Sequence, residues 1–228
     1  MLYILKKSQK PTLLYMPVKS FETILYGKLD PFFRKYDFVL LADKKQFRKS
    51  TPTGFQNVIF TATTYQDETW LEVNIGCRSH QVEQIAQQFL GNTRDYWADS
   101  NTLVISIGKF NDAKYFRYKI LNENDLEDVC EAIKEFLENS GFPFLNKSDN
   151  LKTIHKIFNL QPSIPCKYLY NQTHRSYKGI ITARLTNDEH FLDISNTHRN
   201  LLIRNGANPD ELLTFERLLS FLLYQSVN

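Results

Sequence analysis

The chain has 228 residues, 42% of them hydrophobic and 23% charged, with a net charge of only +3. That length supports a packed core, and 8 Gly with 8 Pro exclude a collagen-like or low-complexity chain. No apolar run approaches the roughly 18 residues of a membrane span, and the net charge falls far short of a typical nucleic-acid binder.

The opening residues MLYILKKSQK put a short apolar run ahead of the lysines, the reverse of a secretory leader. Cys77, Cys130 and Cys166 are an odd number and widely spaced, which fits reduced thiols. Both features read as a cytoplasmic protein. Over residues 18–36, Phe21, Ile24, Leu25, Leu29, Phe32 and Phe33 recur at helical spacing, and Asp30 with Pro31 is expected to split the run into two helices.

The period then changes. Residues 38–50 are strand-like, TPTG at 51–54 is a turn, and 55–65 is rich in β-branched and aromatic residues. In TWLEVNIG (69–76), Leu71, Val73 and Ile75 face one way and Trp70, Glu72 and Asn74 the other. Three strands with short connections predict an antiparallel meander. KKQFRKS (44–50) sets four cations around Phe47. It reads as an edge strand whose lysines discourage sheet-to-sheet pairing, in preference to a phosphate-contacting ribbon with a stacking ring. Ser79 is placed to cap a helix carrying Val82, Ile85, Ala86 and Phe89, which Gly91 ends.

Two further strands are predicted. One spans 102–110, with Leu103, Ile105 and Ile107 on one face. The other spans 114–120, with Phe116, Tyr118 and Ile120 on one face and Tyr115, Arg117 and Lys119 on the other. A helix over 122–141 follows, acidic in its first turns, with an apolar stripe of Leu126, Val129, Cys130, Ile133 and Leu137. The remainder predicts helices over 151–159, 176–187 and 189–205 and a last one opened by Asn208, Pro209, Asp210 and Glu211. LLTFERLLSFLLYQ is apolar nearly all round, which predicts deep burial.

The order of elements predicts an α+β fold: an antiparallel sheet of about five strands, flanking helices and a helical C-terminal region. Residues 1–145 make the sheet domain, and 146–228 a helical region that packs on it or stands beside it. There is no βαβ alternation and no glycine-rich nucleotide loop.

FFRKYDFVL, KKQFRK, FQNVIFTAT, LEVNIGCRS and VEQIAQQFL, within residues 32–90, resemble small bacterial families described as domains of unknown function. The resemblance implies a helix, a three-stranded meander and a helix, and no catalytic residue. Proteins of this general make-up also resemble partner-binding or toxin-neutralising immunity proteins.

Cys77 and His80 have a spacing that zinc sites use, but no second pair completes four ligands, and no cysteine-hydrolase signature surrounds them. They read as the corner between a strand and a helix. His190, Asp193 and His198 offer a carboxylate and two imidazoles, but that spacing on an amphipathic helix reads as a solvated face. No cofactor or metal is expected. Residues 151–187 carry six cations and no acid, interleaved with Phe158, Tyr168, Tyr170 and Tyr177. Three uses are open to them: docking on the acidic helix 122–141, binding an acidic protein, or, less favoured, binding nucleic acid. The expected function is therefore a non-enzymatic macromolecule-binding protein. Lys167, Tyr168, Tyr170, Arg175, Tyr177 and Lys178 form its expected surface, with an enzyme of unrecognised site and a weak nucleic-acid binder as alternatives.

Overall fold

The computed structural model describes residues 20–224. The reading of MLYILKKSQK and the first two residues of the helix expected over 18–36 lie outside them. Helix α1 (Phe21–Arg34) starts where the Ser20 hydroxyl accepts the Thr23 N–H. It runs through Pro31 unbroken, contrary to the expected split. Proline inside a helix costs roughly 3 kcal/mol. Leu25, Leu29, Phe32 and Phe33 all bury on one side of the continuous helix, at about 1.5–3 kcal/mol each, and that outweighs the lost backbone bond.

The strands β1 (Val39–Leu41), β2 (Gln46–Thr51), β3 (Gly54–Thr64) and β4 (Thr69–Ser79) form an antiparallel meander, and β4 leads directly into α2 (His80–Ala86). After the short turn α3 (Arg94–Trp97), β5 (Leu103–Ser106) pairs with residues 74–77 of β4, and β6 (Tyr118–Ile120) pairs with residues 69–71. Two short strands thus share one edge of β4, and the sheet has six strands. The strand expected over 102–110 ends early because the Ser106 hydroxyl accepts the Lys109 N–H and starts the turn α4 (Ile107–Phe110). Strand β2 is not the outer edge that its lysines suggested, since β1 pairs with Gln46–Arg48. The cations of residues 44–49 are matched within the fold instead, Lys44 and Arg48 with Asp99, Lys45 with Glu22 and Lys49 with Asp37.

Helix α5 (Glu123–Phe136), capped by Asn122, passes through one π-helical turn into α6 (Phe142–Ser148). The remaining helices are α7 (Leu151–Asn159), α8 (Gln172–Leu185), α9 (Phe191–Arg204) and α10 (Pro209–Tyr224).

Two hydrophobic cores result. In the first, Phe47, Val58, Phe60, Leu71, Val73 and Ile75 on one face of the sheet meet α1 and α5, with Phe33 stacked on Phe47 at 4.0 Å. In the second, Val82 and Ala86 of α2 meet Ile180 and Ile181 of α8 and Phe215 and Leu218 of α10. Chain segments cross position 145 in both directions: Ile154 and Phe158 belong to the first core, α2 to the second. Helix α10 is buried on one side only, through Phe215, Leu218 and Leu222, while Leu213, Leu223 and Tyr224 are exposed. Deep burial all round was the wrong inference, because this helix lies on the outside of the second core.

Candidate functional site

The six residues expected to form a surface divide into two sets. Helix α8 is enclosed by its neighbours, and every residue from Arg175 to Ala183 is buried. Arg175 donates to the carbonyls of Phe158, Gln161, Pro162 and Ile164 at 2.6–3.2 Å, closing the end of α7 and the loop after it. Burial lowers its pKa from the ordinary arginine value. Lys178 bonds Glu83 Oε1 at 2.8 Å and the Asn101 carbonyl at 2.8 Å, and Glu83 also accepts from Thr102 Oγ1 and Gln87 Nε2. Tyr177 donates to the Glu211 carbonyl at 2.7 Å, and burial pushes its phenol up to about 12. Arg175, Tyr177 and Lys178 are therefore interior connectors and not part of a surface. Docking on the acidic helix is also corrected. Among the described residues α5 pairs with α1, through Lys28 to Glu127 and Glu123, and Glu138 accepts from Tyr36.

Cys77 lies under the strand–helix corner with its thiol directed at the Ser148 carbonyl, 3.9 Å away. Burial pushes that thiol up to about 12, so it is not ionised near neutrality. His80 is exposed and its Nδ1 accepts from Arg78 Nε at 3.3 Å. The two side chains form no dyad. His190 and Asp193 are exposed, but His198 is buried and points to Asn159 Oδ1 at 2.7 Å. Burial holds its pKa at about 3, so it is a neutral core histidine. Asn159 in turn donates to His155 Nδ1, and His155 Nε2 meets Asp188, a chain that ties α7, α8 and α9 together. Gly179 makes room for it, because a Cβ there would stand 2.5 Å from His198 Nε2. Among the described residues no group of three or more metal-ligating side chains occurs.

The remaining three expected residues, Lys167, Tyr168 and Tyr170, border a surface that the sheet builds. Because Leu71, Val73 and Ile75 point into the core, Trp70, Glu72 and Asn74 stand on the opposite face of β4. The β6 register sets Lys119 beside Trp70, with its ammonium 5.6 Å from the indole centre. Glu68 receives both Lys119 Nζ (2.6 Å) and Trp70 Nε1 (2.8 Å), and the lysine hydrogen bond holds its carboxyl below the usual range. One step along β4, Glu72 pairs with Arg117 at 3.4 Å, and that guanidinium lies 5.6 Å from the Tyr115 ring. One step further, Tyr170 donates to Asn74 Oδ1 while its oxygen accepts the Ser106 N–H, and Lys109 sits 4.6 Å from its ring. Lys167 bonds Asp112 at 3.0 Å and lies 5.6 Å from Tyr168, itself stacked on Phe144.

The result is a row of aromatic rings, each with its own cation, laid over the face of β4 that carries Trp70, Glu72 and Asn74, with Trp70 from the strand itself and Tyr115, Tyr168 and Tyr170 from the segments beside it. Tyr115 is 71% exposed and Tyr170 51%. The four cations Lys109, Arg117, Lys119 and Lys167 face three carboxylates, Glu68, Glu72 and Asp112. The sequence placed Tyr115, Arg117 and Lys119 on one strand face and Trp70, Glu72 and Asn74 on another. It gave no sign that the two faces meet, so Trp70, Lys109, Tyr115, Arg117 and Lys119 were not among the expected site residues.

Candidate membrane-crossing helices are lacking among the described residues: none is long and apolar enough. Comparison with protein-family models, with curated proteins and with solved structures found no match.

Proposed function

We propose that the protein is a non-enzymatic binding protein that takes an acidic protein partner on the aromatic and basic row of β4. The observation that carries this reading is the row itself: rings and cations paired on a sheet face. Aromatic and arginine side chains dominate protein interfaces because they bury large areas at low entropic cost. A partner's carboxylate would complement Lys109, which has no carboxylate partner among the described residues, while the rings supply the apolar contact. A nucleic acid is less well matched, since binding driven by phosphates needs many unneutralised cations and the row has an excess of only one. An immunity-type role, in which the partner is neutralised by being covered, is one form of this reading. The three free, buried cysteines support a reducing, cytoplasmic setting.

The test is affinity purification from host lysate with wild-type chain and with a Tyr115→Ala, Tyr170→Ala, Lys109→Glu variant. One stoichiometric acidic protein, held by wild type and lost from the variant at unchanged thermal stability, supports the proposal. A partner retained equally by both, or a single-stranded oligonucleotide bound more tightly than any protein, overturns it.

A further inference from the structure

We propose that the groove where the start of α1, the turn between β3 and β4 and the turn between β6 and α5 meet is a docking site for residues 11–18 of this same chain. The groove holds about 650 Å³, within the roughly 300–1,000 Å³ of sites that take a ligand. Its floor is apolar: Phe21 and Ile24 from α1, Ile120 of β6 with Leu121 beside it, and Leu126 from α5. Three large apolar side chains stand open to water around it, Tyr65 at 59%, Leu121 at 57% and Ile24 at 36% exposure. Apolar groups gathered at one concave place mark a contact site. The walls are set in advance. The Leu121 N–H donates to Asp125 Oδ2 at 2.8 Å, Asn122 caps α5, and the Tyr65 N–H donates to the Glu68 carbonyl at 2.8 Å.

Charge narrows the occupant. Asp67, Glu68 and Glu123 line the groove, and among the described residues no lysine or arginine does. Glu68 is spent on Lys119 and Trp70. Asp67 has no ionic partner among the described residues, and Glu123 stands 3.8 Å from Lys28, which binds Glu127 more closely. The two helix starts beside the groove carry their own acids, Glu22 on α1 and Glu123 with Asp125 on α5, so their positive ends are answered. An occupant that is apolar and basic fits this lining.

The chain supplies such a segment at the groove's own edge. PTLLYMPV, residues 11–18, carries Leu13, Leu14, Tyr15, Met16 and Val18 between Lys10 and Lys19, and residues 1–19 contain no acid. Ser20, the cap of α1, joins them to Phe21, which is part of the floor. Eight residues reach up to about 28 Å, ample chain to cover a cavity of this volume. A segment tethered this close to its site acts at an effective concentration on the order of millimolar, so it fills the groove ahead of a free peptide of the same chemistry.

The experiment is paramagnetic broadening in the full, ¹⁵N-labelled chain with a nitroxide on Thr12→Cys. Cys77, Cys130 and Cys166 are buried, so the label goes to the new thiol. Loss of amide intensity at residues 64–69 and 120–126 is expected. The tether by itself holds the label near residues 20–24, so the deciding comparison is the same labelled chain with Ile24→Gln and Leu121→Gln. Both side chains are exposed, and the fold is checked by the same spectrum. The two changes should restore the intensity at 64–69 and 120–126. A mixture of labelled ¹⁴N chain with unlabelled ¹⁵N chain should show no loss. Intensity lost equally with and without the two changes would reflect the tether alone. Loss at other sites, or none beyond residue 24, would take the segment away from the groove. Loss in the mixture would make the occupant a second copy's segment. Each of these three results overturns the proposal.

Discussion

Single residues show how far charge can be drawn inside this molecule. Lys178 is buried with Glu83, and among the described residues neither has another ionic partner. Removing one member of such a pair strands the other in a medium that cannot solvate it. Lys178→Ala is therefore expected to destabilise the fold by roughly 3–5 kcal/mol, read as a lowered urea midpoint. Arg175→Ala should do comparable damage, since four carbonyls lose their donor. Neither variant would test a binding surface. His198 gives a pH dependence. Its pKa is about 3 in the fold against an ordinary 6.5, so between these values the unfolded chain binds a proton that the folded chain does not. Stability is then complete above about 6.5 and is lost as pH falls toward 3, at up to about 1.4 kcal/mol per pH unit. His174, also lowered by burial, acts in the same direction. Thermal melts at descending pH should show this fall, and His198→Asn should flatten it.

At the scale of elements, the strongest periodic patterns became the elements they predicted, and the exceptions have local causes. Helix α5 and the β2–β4 meander follow from one-sided apolar spacing. Helix α1 survives Pro31 because its buried side is continuous across it. Pro31→Ala restores a backbone donor at an exposed position, and a gain of about 1 kcal/mol or more in urea unfolding is expected. An unchanged or lower midpoint would mean that the helix has already relaxed around the ring. The strand expected over 102–110 was cut short by one capping hydroxyl, Ser106. The apolar spacing of Leu103, Ile105 and Ile107 continues across the cap, and for that reason periodicity alone gave no warning.

At the scale of the whole molecule, the two cores are interlocked by chain order and by a polar tie. Helix α2 leaves the sheet to enter the second core, α7 returns to the first, and Lys178, Glu83, Thr102 and Asn101 join α8 to α2 and to the segment just before β5. Unfolding followed by tryptophan fluorescence, which reports Trp70 and Trp97, should coincide with unfolding followed by far-UV circular dichroism, which is dominated by the helices. Two separated transitions would show that the cores are energetically independent.

The sequence by itself determined the α+β class, the meander, most of the helices and the reading of Cys77 and His80 as a corner. These depend on spacing within one segment, and side-chain period is a local property of the chain. The tertiary structure decided which charges are surface and which are interior. Residues 151–187 carry six cations without an acid, yet Arg175 and Lys178 find carbonyls and Glu83 inside, at partners that no local pattern names. It also decided where the rings and cations meet. The β4 face was legible, and of the strand expected over 114–120 only Tyr118–Ile120 formed, but the pairing of β6 with β4 alone brings Lys119 to Trp70 and, just ahead of β6, Arg117 to Glu72. Strand register is set by contacts between segments far apart in the chain, and a candidate site that depends on register is invisible until the sheet has formed.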